Sequence, residues 1–565
     1  MAAIEGAYGN SGGPDYLEVS DYRGHGLVPL QARRAGHPLL RKTLVGVRLA
    51  STTELICLHD AVSNEEMRYT ADLEREQFRL ADRVLWRGGD TLSLYRRYYS
   101  TPSLPQAVLI RPPLRLPKAP PRVTRRDPNE PLRLLYVGRL QQFKRPLDLV
   151  EACLRLPRDD WQLTLIGGDT QTAPTEQSMR ATIETVCDGD PRIRIEGQLS
   201  YGEVQRRWDQ HDLLVVSSAF EVWGNAATEA MRNGLPILAT PVGGLAEIVE
   251  HGVTGWHTEG LGPKALGRAL ADLLEHREEI EEVRSSGAIF ERLRKLTDNG
   301  QTLGAYESMI SSARVGESGR AQPLKEPSVT GVVPYHRARA HIEEAVRSLL
   351  QQSHRNLDVV IVNDGSFQEE DRILDRIAAD PRVSVITQLN QGESAARNLG
   401  ARVAGGEFVV MLDADNLLEP EFVSRALGVL RREPGLAYVT SWLEFIDRDG
   451  EPMSAGYAPL GNSVIREDSA NWDGDTIAVL PRRLFTELGY GFEVNSVIQC
   501  DWELYRTLRA DGRFGAVIPE QLAKYRVHGD SLMRSLGEAT HSRSWTEARA
   551  RLRMAETTWT AEMRG

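Results

Sequence analysis

The chain has 565 residues, more than one hydrophobic core accommodates, so several domains are expected. Its 41% hydrophobic and 26% charged residues are ordinary for a globular protein, and its net charge of -11 excludes general affinity for nucleic acid, which needs clustered cations. Cys57, Cys153, Cys187 and Cys500 are scattered without metal-ligand spacing, as expected in a reducing cytoplasm, and no apolar run of ~18 residues predicts a membrane span.

In chain order, residues 1–15 are small and Gly-rich and are expected to be disordered. Residues 15–109 alternate short apolar runs with helical patterns, and 43–49 reads as a strand. A Pro/Arg segment follows, with Arg111, Arg115, Lys118, Arg122, Arg125 and Arg126. It admits two readings, a solvated semi-rigid linker or attraction to an anionic membrane surface. From 132 to 290 strands (132–137, 163–166, 192–195, 213–216, 236–239) alternate with helices, the pattern of a parallel sheet covered on both faces. A linker near 316–326 leads to a second α/β series with strands at 329–333, 359–362, 383–386 and 408–412. Strands and loops continue to about 527, and 541–565 reads as an amphipathic helix. The expected fold class is therefore α/β throughout. The domains are set at 1–130, 131–315 and 327–540, with the linker between the last two and the terminal helix after them.

In the second series, Asp413 and Asp415 stand in the turn leaving a buried strand, where open α/β sheets bind ligands. Two carboxylates at i and i+2 suit a hard divalent cation, Mn or Mg, that shares diphosphate oxygens. Alone, an Asp-x-Asp turn is also a common solvated feature. Four further motifs accompany it: Asn363-Asp364-Gly365-Ser366 after a strand, Gln391-Gly392-Glu393 leading to Arg397 at a helix start, Cys500-Asp501-Trp502-Glu503, and Tyr525-Arg526-Val527-His528. Together they resemble family 2 glycosyltransferases, which have the GT-A fold, over about residues 327–535. The resemblance implies that Pro334 and Tyr335 line the nucleobase pocket, Asp364 bonds the base and Arg397 lies near the nucleotide. Asp413 and Asp415 hold ribose and metal, His528 adds a metal or diphosphate contact, Trp502 stacks on an acceptor sugar, and Asp501 is the general base of an inverting displacement. The family usually has Glu before that aspartate; here Cys500 stands there. Bland alternatives remain open: a helix cap for Asp501, packing for Tyr335 and Trp502, a surface histidine for His528.

In the first series, Arg139 and Lys144 follow the first strand as a metal-free diphosphate clamp. Gly224 and Asn225 open a helix between Glu221 and Glu229, offering backbone amides to phosphate and carboxylates to sugar and ribose hydroxyls. With Thr240-Pro241-Val242-Gly243-Gly244, this resembles the nucleotide-binding half of family 4 glycosyltransferases, of GT-B fold, from about 132 to 257. That resemblance implies Arg139 and Lys144 on the diphosphate, Glu229 on ribose, Glu221 on the donor sugar, a retaining transfer and no cofactor. The plain alternative for the glutamates is a solvated helix face. The first domain is short for that family: Gly12-Gly13 precedes a strand rather than following one, and Ala50 stands where members often have histidine, with His59 nearby. A truncated GT-B-like module followed by a GT-A module is thus expected.

The expected function is a tandem glycosyltransferase using a nucleotide sugar, UDP by resemblance, and a glycan, lipid-linked or small-molecule acceptor in surface polysaccharide or glycoconjugate synthesis. The first module is either a second transferase or a binding module. Its expected place is the cytoplasm, with the inner membrane face as a further possibility through the basic segment. The alternative class is a non-catalytic sugar-nucleotide scaffold or sensor, which has no need of the base Asp501.

Overall fold

A computed structural model describes residues 2–8, 12–60, 64–99, 104–121, 130–174, 177–314, 326–337, 340–366, 371–462, 471–494 and 500–527. The chain divides into two compact units: Tyr16–Gly26 with Leu44–Ser318, and Met1–Asp15, Leu27–Thr43 and Gly319–Gly565. The 316–326 linker, apart from Glu326, and the 541–565 helix fall outside the described residues. Residues 2–8, expected to be disordered, form a helix, Ala2–Tyr8, in which alanine, the strongest helix former, outweighs the single glycine.

The N-terminal unit contains two parallel sheets. The first runs β1 (Tyr16–Ser20), β2 (Leu44–Arg48), β3 (Arg83–Trp86) and β4 (Ala107–Leu109), in that order. These four strands all lie within the range 1–130 read as the first domain. The second sheet comprises β5 (Leu132–Val137), β6 (Trp161–Ile166), β7 (Ile193–Gly197), β8 (Leu213–Val216), β9 (Ile237–Ala239) and β10 (Gly255–His257). Its order β10-β9-β8-β5-β6-β7 reverses direction between β5 and β8. That is the doubly wound arrangement, whose crevice opens at the carboxyl ends of those two strands. Val150, Trp161, Leu163, Leu214 and Ile237 belong to the apolar core around this sheet. The helix Asn299–Arg314 returns to the first sheet, where Met309 packs with Leu44, Leu85 and Ile110 and the Tyr306 hydroxyl donates to Glu18.

The Pro/Arg segment is partly anchored. Leu114 and Leu116 pack on the second sheet, and Arg111 pairs with Glu247, while Arg115 and Lys118 are exposed. Arg122, Arg125 and Arg126 lie outside the described residues. Among the described residues no helix is long and apolar enough to cross a membrane.

The C-terminal unit is built on β11 (Val329–Tyr335), β12 (Leu357–Asp364), β13 (Val383–Gln388), β14 (Phe408–Met411), β15 (Leu417–Leu418), β16 (Tyr438–Ile446), β17 (Pro452–Tyr457), β18 (Val479–Pro481) and β19 (Gly515–Arg526). The order is β13-β12-β11-β14-β18-β16-β19-β15, with β17 beside β16. The first four strands are parallel and β18 joins antiparallel to β14, so the sheet is mixed. Again the winding changes direction, here between β11 and β14.

The helix Leu27–Arg34 belongs to this unit rather than to the first domain expected over 1–130. Ala35 enters its core. Arg34 makes a two-pronged pair with Glu433 at 2.7 and 2.6 Å, and Gln31 donates to the Leu460 carbonyl at 3.3 Å.

Candidate functional site

In the C-terminal unit the carboxyl ends of β12 and β14 deliver Asp364, Asp413 and Asp415 to one end of the sheet. The helix Glu393–Val403 brings Arg397 beneath them, with its side chain 2% exposed. Arg397 donates to Asp413 Oδ1 at 2.6 Å, pairs with Glu393 at 2.9 Å and donates to Cys500 Sγ at 3.2 Å. Thr476 donates to Asp413 Oδ2 at 3.2 Å. A buried guanidinium is stabilised only by such partners, so it fixes Asp413 in place. Burial pushes the Cys500 thiol up to about 11, so it remains a neutral acceptor for Arg397.

Asp501 opens the helix Cys500–Ala510. Burial pushes its carboxyl up to about 6, and Asp413 adds to the rise, while the Trp502 amide and Arg397 oppose it. Asp475 feels both carboxylates: burial first, then the charges of Asp501 and Asp413, push its carboxyl up to about 7. Asp475 was not singled out from the sequence. Its acidic turn 473–475 is the available signal, but it lies in no motif and follows no recognised strand.

The other expected residues are placed as follows. Asp364 is already engaged: Oδ1 accepts from Gln388 Nε2 and Gln391 N, and Oδ2 from Gly392 N, each at 2.8 Å. It pins the loop before the Arg397 helix and retains one lone pair for a ligand. Pro334 and Tyr335, expected to line a pocket, end β11 as buried residues, and Tyr335 is 1% exposed within the core. Trp502, expected to stack on a sugar, is 4% exposed, leaving no face open. Both aromatic rings are packed because the strand and helix carrying them face the core at those positions. His528 lies outside the described residues.

The donor set fits a divalent cation in kind. Asp413, Asp415, Asp475 and Asp501 supply hard oxygens beside the buried guanidiniums of Arg397 and Arg526, which also pair with Glu393 and Glu344, an excess of negative charge that a divalent ion would balance. Among the described residues no group of three His, Cys, Asp or Glu is arranged as a cage. An ion here would therefore rest on Asp413 and Asp415 and complete its shell with ligand oxygens.

In the N-terminal unit, the crevice between β5 and β8 is a cavity of about 210 Å³ lined by Gly138, Lys144, Ser218, Glu221, Gly224 and Asn225, among others. It sits where doubly wound sheets bind nucleotides. Gly224 caps the helix Asn225–Arg232 with φ 98, a backbone only glycine adopts readily, and turns the first amides of that helix to the cavity. Gly243 is equally constrained: a Cβ there would lie 1.5 Å from the Glu221 carbonyl oxygen. Lys144 and Glu221 form an ion pair across the cavity wall. Arg139, expected beside Lys144, instead lines a neighbouring cavity of about 300 Å³ with Asp60, Thr170 and Thr172. Glu229 lies one turn along the helix, half-buried, with burial raising its carboxyl. At the turn after β2 the amides of Ala50 and Ser51 bind Asp21, while His59 stacks on Phe220 with centroids 5.1 Å apart.

Comparison with known proteins follows the same division. Residues 122–288 match the family described as "Glycosyl transferases group 1", and residues 330–480 match "Glycosyl transferase family 2". Two glycosyltransferase family models thus match the chain in tandem. Chondroitin synthase of Escherichia coli is 36% identical over 132 residues, 23% of this chain and 19% of that protein. "Putative glycosyltransferase EpsH" of Bacillus subtilis is 33% identical over 136 residues, 24% of this chain and 39% of that protein. The chain therefore matches well under half the length of these relatives. Among solved structures, sucrose-phosphate synthase from Thermosynechococcus elongatus aligns over 56% of this chain and 77% of its own, at 23% identity and a TM-score of 0.44.

Proposed function

We propose that the C-terminal unit transfers a sugar, with inversion, from a nucleoside diphosphate sugar to an acceptor hydroxyl. The observation that carries this reading is the arrangement of Asp413, held by buried Arg397, and Asp501 with a carboxyl pushed up to about 6. A base with a pKa near the working pH is the most effective proton acceptor. Asp501 takes the acceptor proton on one side of the reacting carbon. Asp413 and Asp415 face the diphosphate on the other and would hold a divalent ion, Mn or Mg. That ion, when bound, offsets the charge developing on the departing nucleotide. Asp364, with its remaining lone pair, accepts from the nucleobase. A scaffold or sensor would not need a raised-pKa carboxylate on the acceptor side.

UDP as the nucleotide rests on the similarity to glycosyl transferase family 2. The similarity to chondroitin synthase supports a glycan or glycoconjugate product. The N-terminal unit binds a second nucleotide sugar without metal. Its diphosphate displaces Glu221 from Lys144 and meets the amides at Asn225, and Glu229 takes the ribose. The reaction takes place in the cytoplasm. The test is UDP release from a panel of UDP-sugars with Mn²⁺ and with EDTA: release that needs the ion supports the reading, and release equal in EDTA refutes the metal assignment.

A further inference from the structure

The loop 471–477, which precedes β18, touches both ends of the proposed reaction. Thr476 reaches Asp413 on the diphosphate side, and Asn471 reaches Asp501 on the acceptor side. Every polar atom of the Asn471 side chain is engaged. Its Nδ2 donates to the Gly474 carbonyl at 2.7 Å and to Asp501 Oδ2 at 3.1 Å, and its Oδ1 accepts from the Asp473 amide at 3.1 Å. Its own carbonyl accepts from the Tyr457 hydroxyl at 2.6 Å. Further along, the Tyr505 hydroxyl holds the Asp475 carbonyl at 2.6 Å, and the Tyr505 ring stacks on Tyr438 with centroids 4.0 Å apart. The amide of Asn471 is therefore delivered to Asp501 by a loop fixed at both ends.

We propose that Asn471 is the positioning residue of the base: its amide holds Asp501 Oδ2 so that Oδ1 faces the acceptor hydroxyl. This rests on the reading of Asp501 as the base. The acceptor O–H proton passes to Oδ1 as the new bond from the acceptor oxygen to the anomeric carbon forms. The bond from that carbon to the diphosphate oxygen breaks, and its electron pair leaves with the nucleotide. A carboxylate free to rotate about its terminal torsion would spend much of its time misdirected, and fixing such a group is how an enzyme lowers the entropy of the step. The residue type suits the task. A neutral amide donates a hydrogen bond without cancelling the charge that gives Asp501 its basicity. Lysine or arginine would depress that basicity, and a carboxylate would repel it.

The alternative is that Asn471 only shapes its loop, through the bond from the Asp473 amide to its Oδ1. The two roles order the same substitutions differently. In the full chain, with Mn²⁺ and the UDP-sugar that supports the fastest UDP release, Asn471→Ala should lower kcat about tenfold, the worth of a hydrogen bond to a charged group. Donor KM and UDP affinity should be unchanged. Asn471→Ser, which keeps a donor, should lie between alanine and the wild type. Asn471→Asp should be the slowest, because it sets a second carboxylate against Asp501. If Asn471 only shapes the loop, through Gly474 and Asp473, Asn471→Asp still keeps the acceptor for Asp473 where Asn471→Ala keeps neither bond, so it should be no slower than Asn471→Ala. That order, or a flat kcat series, overturns the proposal, as does a loss of UDP affinity that parallels the loss of rate. Full activity in Asp501→Asn would instead remove the base reading itself, a separate failure visible in a separate variant.

Discussion

At the scale of residues, the C-terminal site gathers more carboxylates than its buried guanidiniums, Arg397 and Arg526, neutralise. Asp475 and Asp501 keep their protons to about pH 7 and 6, chiefly because of burial. A carboxyl whose pKa is raised in the folded state binds its proton more tightly there than in the unfolded chain. Stability then falls as pH rises from the ordinary carboxylate range through the folded value. Asp475→Asn keeps the acceptor oxygen used by the Ile477 amide and Thr476, and removes the charge. In the absence of metal it should stabilise the protein at pH 8 by about 1 kcal/mol or more, with the advantage fading toward pH 5. Denaturant melts at the two pH values measure this, and equal effects at both would contradict the raised carboxyl. The same chemistry sets the activity profile: transfer should rise as pH passes through about 6, where Asp501 becomes ionised.

At the scale of elements, the ends of β5, β12 and β14 fall within about two residues of their sequence reading. Such strands are buried on both faces and read as continuous apolar runs, the strongest local signal available. Asp413 and Asp501 could be singled out because one follows a buried strand and the other opens a helix. The burial of Tyr335 and Trp502 was not legible, since a motif shows which residues recur together and not which face of an element meets the core. Nor was the placement of Leu27–Arg34. Its partners Glu433 and Leu460 are some 400 residues away in sequence, and no local pattern encodes so distant a contact. A fragment spanning 327–540 lacks this helix and uncovers the core that Ala35 joins. It should be less stable than the full chain, and Arg34→Ala should cost the full chain about 1–3 kcal/mol by leaving a half-buried pair broken. A fragment melting at the same denaturant concentration as the C-terminal transition of the whole protein would show the helix to be dispensable.

At the scale of the whole molecule, two crevices of different chemistry, each proposed to bind a nucleotide, stand in one chain: one with Lys144 and helix amides, the other with paired carboxylates. Because they lie in separate sheets, Glu229→Ala should weaken nucleotide binding in the first and leave ion-dependent UDP release by the second within about twofold. Equal loss at both would mean that the two crevices act as one unit. The central claim is that Asp501 is the base of the C-terminal transfer. Its most direct test is to measure transfer rate and UDP affinity on one preparation of Asp501→Asn, which keeps the shape of the side chain and its helix-capping ability but cannot take a proton. The account predicts UDP affinity close to wild type and transfer lowered by roughly 10²–10⁴-fold. Transfer near the wild-type rate would contradict it.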